Sequence, residues 1–261
     1  MDTAQRNTLL RFYAKEDAKV DTFKMSDKEQ VAWRYQRYVK DYLRCIRSID
    51  RNIGRLLDYL GKEGMLDNTL IVYTSDQGMY LGEHGWFDKR FMYKESFRTP
   101  MLMRYPPLIK AGTVSKGFAL NLDFAPTFLG LAGIAEPDYM QGTSLLPLFS
   151  GEIPADWRTS VYYHYFEYPG WHAVKRHYGI RTGRYKLIHF YYDIDEWELY
   201  DLQKDPEEMK NVYNDPAYAA AKDSLTVQLR LLQKKYGDSD SLAQQFLEHD
   251  KPMMNRFENV Y

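Results

Sequence analysis

Residues 69–105 read TLIVYTSDQGMYLGEHGWFDKRFMYKESFRTPMLMRY. Thr69 to Thr74 is a continuous β-branched and aromatic run that follows a turn at Leu66-Asp67-Asn68, the pattern of a buried strand. It ends in Ser75-Asp76-Gln77-Gly78, so polar side chains arrive at the carboxyl end of the strand, where open α/β sheets bind their ligands. Met101 to Tyr105 forms a second short strand, closed by Pro106-Pro107.

Between these strands lie a carboxylate, a carboxamide, a histidine and several cations. Asp76 and Gln77 are hard oxygen donors of the type Ca²⁺ or Mg²⁺ takes, though two donors do not complete a calcium site, which wants about six to eight. Lys89, Arg90, Lys94 and Arg98 follow, and cations beside a divalent metal neutralise the oxygens of a sulfate or phosphate ester and of its leaving group. The same residues also fit a solvated surface loop, because Asp-Gln-Gly is a common turn and charge runs usually face water.

Upstream, Val31, Tyr35, Tyr38, Tyr42, Ile46, Ile49, Ile53, Leu56 and Leu60 recur every three or four residues, which predicts a long amphipathic helix from about Ser26 to Leu60. Ser26-Asp27 supplies its N-cap, and Gly61 with Gly64 its stop. Cys45 falls inside this helix, where a small buried thiol is the expected role. Downstream, Asn121 to Gly133 reads as a helix with Pro126 early and Gly133 at its end. Beyond Ser150-Gly151 the pattern changes to successive strands at 159–166, 178–182, 185–191 and 198–201, a small antiparallel sheet with a tight turn at Thr182-Gly183-Arg184. Residues 217–236 form an amphipathic helix with Leu225, Leu229, Leu232 and Tyr236 on one face, and the last 25 residues read as a tail or strap. The expected division is therefore an α/β portion over residues 1–150 and a subdomain over 151–261.

An apolar content of 44% beside 27% charged residues predicts a soluble chain with a real core. The 35 basic and 36 acidic residues nearly cancel, so no global field attracts nucleic acid or an anionic membrane, and anion binding has to be local. The 23 tyrosines offer flat amphipathic surfaces that suit sugar rings, and suit tyrosine-rich edge strands equally. A single Cys45 excludes an internal disulfide. No stretch approaches the roughly 20 apolar residues a membrane span needs. The start MDTAQRNTLL has no signal-peptide pattern, so the signal of an exported protein is expected upstream.

The segment from Thr69 to Pro106 resembles the C-terminal signature of sulfatases of the alkaline-phosphatase-like superfamily. In that signature a strand ends in Ser-Asp-(Asn, His or Gln)-Gly and is followed by Leu-Gly-Glu-His-Gly and a lysine. Ser48 to Leu57, Asp123 to Thr127, Gly142 to Leu145, Arg184 to Ile188 and Glu198 to Glu208 resemble further landmarks of the family, in the same order. The resemblance implies an α/β fold: the C-terminal part of an alkaline-phosphatase-like sandwich, followed by a small antiparallel-sheet-plus-helix subdomain.

It also implies a sulfuric ester hydrolase whose calcium is held by Asp76 and Gln77, whose Lys89 contacts a sulfate oxygen and assists the departing alcohol, and whose His84 lines the site. Together with the Asp-Gln-Gly version of the signature, the Tyr-Pro-Gly-x-His segment looks closest to bacterial sulfatases of glycosaminoglycan sugars, including N-acetylglucosamine 6-sulfate. Its aromatic and cationic residues make His172, Arg176 and His177 candidates for substrate recognition, with a tyrosine-rich hairpin as the alternative reading.

The family's nucleophile motif, Cys/Ser-x-Pro-x-Arg, does not occur, since Cys45 is followed by Ile46-Arg47-Ser48-Ile49. The expected partners are thus a sulfated carbohydrate and the missing N-terminal half of the domain, without which the chain is expected to be inactive. A periplasmic or extracellular location follows by family analogy. A phosphoester or phosphonate hydrolase of the same superfamily, and a non-catalytic sulfated-sugar-binding remnant, remain the alternatives.

Overall fold

The computed structural model describes residues 24–168, 172 and 174–254. The chain divides into two compact units, Met1–Glu63 and Gly64–Tyr261. In the first, the long helix α1 spans Asp27–Lys62. Its start is fixed by a reciprocal cap: Ser26 Oγ accepts from the Glu29 amide, and the Glu29 carboxylate accepts from the Ser26 amide. None of its residues is buried, and Val31, Tyr35, Ile46, Ile49 and Leu56 are exposed. Cys45 is exposed as well, against the expected buried thiol. Periodicity identifies the face a helix can bury, whereas burial itself needs a second surface.

The second unit begins with β1 (Ile71–Thr74), followed by β2 (Tyr80–Leu81), β3 (Phe87–Asp88), the single-turn helix α2 (Lys94–Phe97) and β4 (Met101–Arg104). β1 pairs antiparallel with β4, Ile71 opposite Arg104 and Thr74 opposite Met101, and β2 pairs with β3. The apolar run of β1 predicts a strand buried on both faces, yet all four residues are half-buried. Among the described residues its sheet has two strands only, too few to enclose it.

A short 3-10 turn at Asn121–Asp123 leads into α3 (Phe124–Leu131). The fully buried Asp123 accepts from the amides of Leu120 and Thr143 and from the Arg158 guanidinium, through two bonds of 2.6 and 2.7 Å. This ties α3 to the small core of Leu145, Leu148, Phe149 and Trp157.

The four remaining strands, β5 (Ser160–Tyr165), β6 (His177–Thr182), β7 (Tyr185–Phe190) and β8 (Glu196–Asp201), form one antiparallel sheet in sequence order. Successive side chains point to opposite faces. Tyr178, Ile180, Leu187 and Leu199 pack on Leu225 and Leu229 of α4 (Ala219–Lys235). On the other face, Ile188, Phe190 and Tyr200 pack against Tyr80, Phe91 and Met92, which belong to the segment between β1 and β4. Gly179 permits this approach, because a Cβ there would lie 2.7 Å from Met92 Sδ and 2.4 Å from the Leu187 carbonyl.

The expected tail contains a further helix, α5 (Asp240–Met254). Ser239 Oγ accepts from the Leu242 amide at its start, and Ala243 and Leu247, one turn apart, are buried. Among the described residues no helix is long and apolar enough to cross a membrane.

Candidate active site

The polar end of β1 and the segment leading to α2 are pressed together by one residue without a side chain. The Gly78 amide donates to the Ser96 carbonyl (2.8 Å), and a Cβ on Gly78 would stand 1.9 Å from the Glu95 carbonyl oxygen. Only glycine allows that approach, and it brings Asp76 and Lys89 to one place. Lys89 Nζ lies 3.7 Å from Asp76 Oδ2. The lysine charge holds the Asp76 carboxyl below the usual carboxylate range, assisted by Ser75 Oγ and the Gln77 amide. Gln77 is exposed beside it.

Lys89 sits between two residues in the left-handed region, Asp88 (φ 73°) and Arg90 (φ 103°), and His84 (φ 54°) is a third in the same loop. Such conformations are costly for residues with a Cβ and persist only where the surroundings enforce them. Here the Arg90 amide donates to Ser96 Oγ (2.7 Å), the Arg90 carbonyl accepts from Tyr163 Oη (2.8 Å), and the Arg90 guanidinium pairs with Asp88.

His84 is mostly buried. It stacks on Tyr93, with centroids 4.8 Å apart, and its Nε2 lies 3.5 Å from Glu95 Oε2. These neighbours make it a brace between the β2–β3 turn and α2. Lys94 is engaged elsewhere, 2.8 Å from Glu207.

The three residues of the aromatic and cationic segment have different surroundings. His172 is half-exposed, and its Nδ1 lies 2.9 Å from Glu167, whose carboxylate is 3.9 Å from Arg90 Nε. Burial raises the Glu167 pKa, but bonds from Tyr165 and His172, with the charges of His172 and Arg90, outweigh it and hold the group below its ordinary value. A chain of polar contacts thus runs from His172 through Glu167 and Arg90 to Asp88, next to Lys89.

Arg176 is completely buried, its Nε donating to the Tyr168 carbonyl. His177 is also fully buried, within the rings of Phe91, Tyr163, Tyr165 and Phe190. Its Nδ1 donates to the Lys175 carbonyl (2.7 Å), and burial lowers its pKa from 6.5 to about 4. His177 is the first residue of β6, so the two-residue period of the sheet, rather than the loop before it, sets its direction.

Among the described residues no group of three His, Cys, Asp or Glu side chains is placed to hold a metal ion. Asp76 and Gln77 supply two oxygen donors, one an ionised and exposed carboxylate, and this fits a hard divalent cation whose remaining ligands come from elsewhere.

Comparison with known proteins places this geometry in context. A family model described as N-sulphoglucosamine sulphohydrolase, C-terminal, matches residues 82–235, and one described as Sulfatase matches residues 9–134. The chain is 54% identical over 230 residues to N-acetylglucosamine-6-O-sulfatase of Bacteroides thetaiotaomicron, covering 87% of this chain and 41% of that protein. It is 34% identical over 192 residues to the multifunctional alkaline phosphatase superfamily protein PehA of Trinickia caryophylli, covering 69% of this chain and 37% of that protein. A solved structure of a protein in complex with its substrate D-glucosamine-2-N,6-O-disulfate matches with a TM-score of 0.84 at 52% identity, over 92% of this chain and 49% of that one. The chain thus spans less than half the length of these relatives.

Proposed function

The chain belongs to the sulfatase family and carries the C-terminal portion of its alkaline-phosphatase-like fold, and from that premise we propose that it is one half of a sulfuric ester hydrolase for sulfated amino sugars. The observation that carries the reading is the contact between Lys89 and Asp76 at the carboxyl end of β1, held by a strained loop, in a chain 54% identical to N-acetylglucosamine-6-O-sulfatase.

In this reading Asp76 and Gln77 contribute ligands to a calcium ion, which supplies charge neutralisation at the sulfate oxygens. The Lys89 charge beside Asp76 holds its carboxyl below the ordinary range, which favours the ionised form that a metal takes. Lys89 donates to a sulfate oxygen and stabilises the negative charge that builds on the departing alcohol. His84 keeps the loop in shape by packing on Tyr93 and facing Glu95. His172 and Arg90, joined through Glu167, are polar groups suited to a sulfated or hydroxylated ring, and Arg90 adjoins Lys89 in the chain.

In this reading the nucleophile comes from a segment other than these 261 residues, which carry no Cys/Ser-x-Pro-x-Arg motif. Segments of the same domain are the natural cover for the exposed apolar residues of α1. A location in the periplasm or outside the cell belongs to the same proposal, by analogy with the family.

The test is sulfate release from N-acetylglucosamine 6-sulfate by the intact polypeptide from its native source, compared with an Asp76→Ala variant and with chelator-treated protein. Loss of about 10²-fold or more in both is expected, the scale seen when one electrostatic group of an active site is removed. A wild-type preparation that cleaves phosphonate monoesters and leaves the sugar sulfate intact would instead make the protein a phosphonate hydrolase of this superfamily.

A further inference from the structure

The segment carrying Lys89 is held from outside by side chains of the four-stranded sheet and of the turn after it. They address its backbone at alternate residues. Tyr163 Oη of β5 donates to the Arg90 carbonyl (2.8 Å), and Lys186 Nζ of β7 donates to the Met92 carbonyl (2.6 Å). Glu208 Oε2 accepts from the Lys94 amide (2.6 Å), and Tyr93 Oη donates to Glu198 of β8 (2.7 Å). Lys186 and Glu208 form an ion pair with each other and are 1% and 2% exposed.

A buried ion pair is an uncertain source of stability, because desolvation of both charges offsets their attraction, and apolar residues of the same volume often serve the fold as well. What apolar residues cannot do is satisfy a backbone carbonyl and a backbone amide two residues apart on a segment that joins no ladder there. The strain at Asp88 and Arg90 requires such an external constraint, since left alone the turn relaxes and Lys89 leaves its place near Asp76.

We propose that Lys186 and Glu208 are positioning residues for Lys89. The sheet acts as a template on which the buried pair clamps residues 90–94, and the clamp fixes the direction of the Lys89 side chain. The functional part of this inference rests on the role given to Lys89 above.

The test is a Lys186→Met, Glu208→Leu double variant of the full chain, which removes both charges and keeps the volume, followed by amide hydrogen exchange. In the clamp reading, amides of residues 88–96 exchange at least about tenfold faster while those of β6 and β7 change little, the signature of a local opening. An equal rise in sheet and loop, or no rise in the loop of a folded variant, overturns the proposal.

If the double variant does not fold, Tyr163→Phe, which removes one hydroxyl, decides by the same local readout at residues 88–92. In the intact polypeptide the double variant is expected to lose at least about tenfold in kcat on N-acetylglucosamine 6-sulfate with KM changed by less than about twofold, because a misdirected Lys89 weakens an interaction specific to the transition state. A rise in KM alone refutes the positioning role. A wild-type polypeptide that releases no sulfate sinks the enzyme reading instead, and hydrogen exchange then still decides whether the sheet holds the turn.

Discussion

Acidification below neutrality should weaken the second unit, and His177 accounts for much of the effect. Its imidazole is fully buried among four aromatic rings, and burial lowers its pKa from 6.5 to about 4, against the opposing bond to the Lys175 carbonyl. A base whose folded pKa is depressed contributes stability that is complete above the unfolded pKa. That stability is lost as the pH falls toward the folded value, because the unfolded chain takes a proton the folded chain declines. The window is therefore the interval from 6.5 down to about 4.

From about pH 7 to about pH 5 the protons taken up amount to roughly 1.5 pK units, or about 2 kcal/mol at 1.36 kcal/mol per unit. The measurement is urea unfolding at both pH values for wild type and for His177→Phe, which keeps an aromatic ring in the cage without a titratable group. The variant loses the bond to Lys175 and starts from a lower stability, so the slope with pH is what counts. Its slope should be shallower by about 2 kcal/mol over that interval, with a residual slope left by His164 and His189, whose pKa values burial also lowers. Equal slopes in the two proteins would mean that His177 is reached by water, and the burial argument would fail.

Much of the fold is legible in the sequence because its determinants are local. The α1 start is written in Ser26-Asp27, β1 in its β-branched run, and the turn after β6 in Thr182-Gly183-Arg184. The incomplete enclosure of β1 and the exposure of Cys45 are not legible, because both depend on what lies opposite. The α5 helix was open to the same reading as α4, since Leu242, Ala243, Phe246 and Leu247 recur at helical spacing, and of these Ala243 and Leu247 are buried.

The candidate site divides along the same line. Asp76, Gln77 and Lys89 lie within 14 residues, and sequence brings them to attention together. Arg90 and Glu167 become part of the site only through a contact spanning 77 positions, and Lys186 and Glu208 act on backbone atoms 94 and 114 residues away. The left-handed Asp88 and Arg90 carry no glycine or asparagine to announce them. His177 could have been separated from His172 by noticing that a strand begins at it, because the sheet period then points its ring at Phe91.

Two further outcomes follow from single positions. Cys45, exposed on α1, should react with a thiol reagent in the folded chain at nearly the rate seen in urea, and Cys45→Ser should change stability by less than about 0.5 kcal/mol; strong protection from the reagent would show that the helix face is covered. Gly78→Ala places a methyl group 1.9 Å from the Glu95 carbonyl oxygen, a backbone atom with no rotamer through which to yield. The turn after β1 must then move away from α2, breaking the Gly78 to Ser96 bond and carrying Asp76 from Lys89. The expected cost is about 1–3 kcal/mol in urea unfolding, the range for overpacked sites. The Asp76 carboxyl, freed from the lysine charge that holds its pKa down, should also titrate at a higher pH by NMR. Both readouts must move together, because one displacement produces them; a destabilised variant whose Asp76 titration is unchanged would show that Gly78 serves packing alone and does not set the distance between the carboxylate and the lysine.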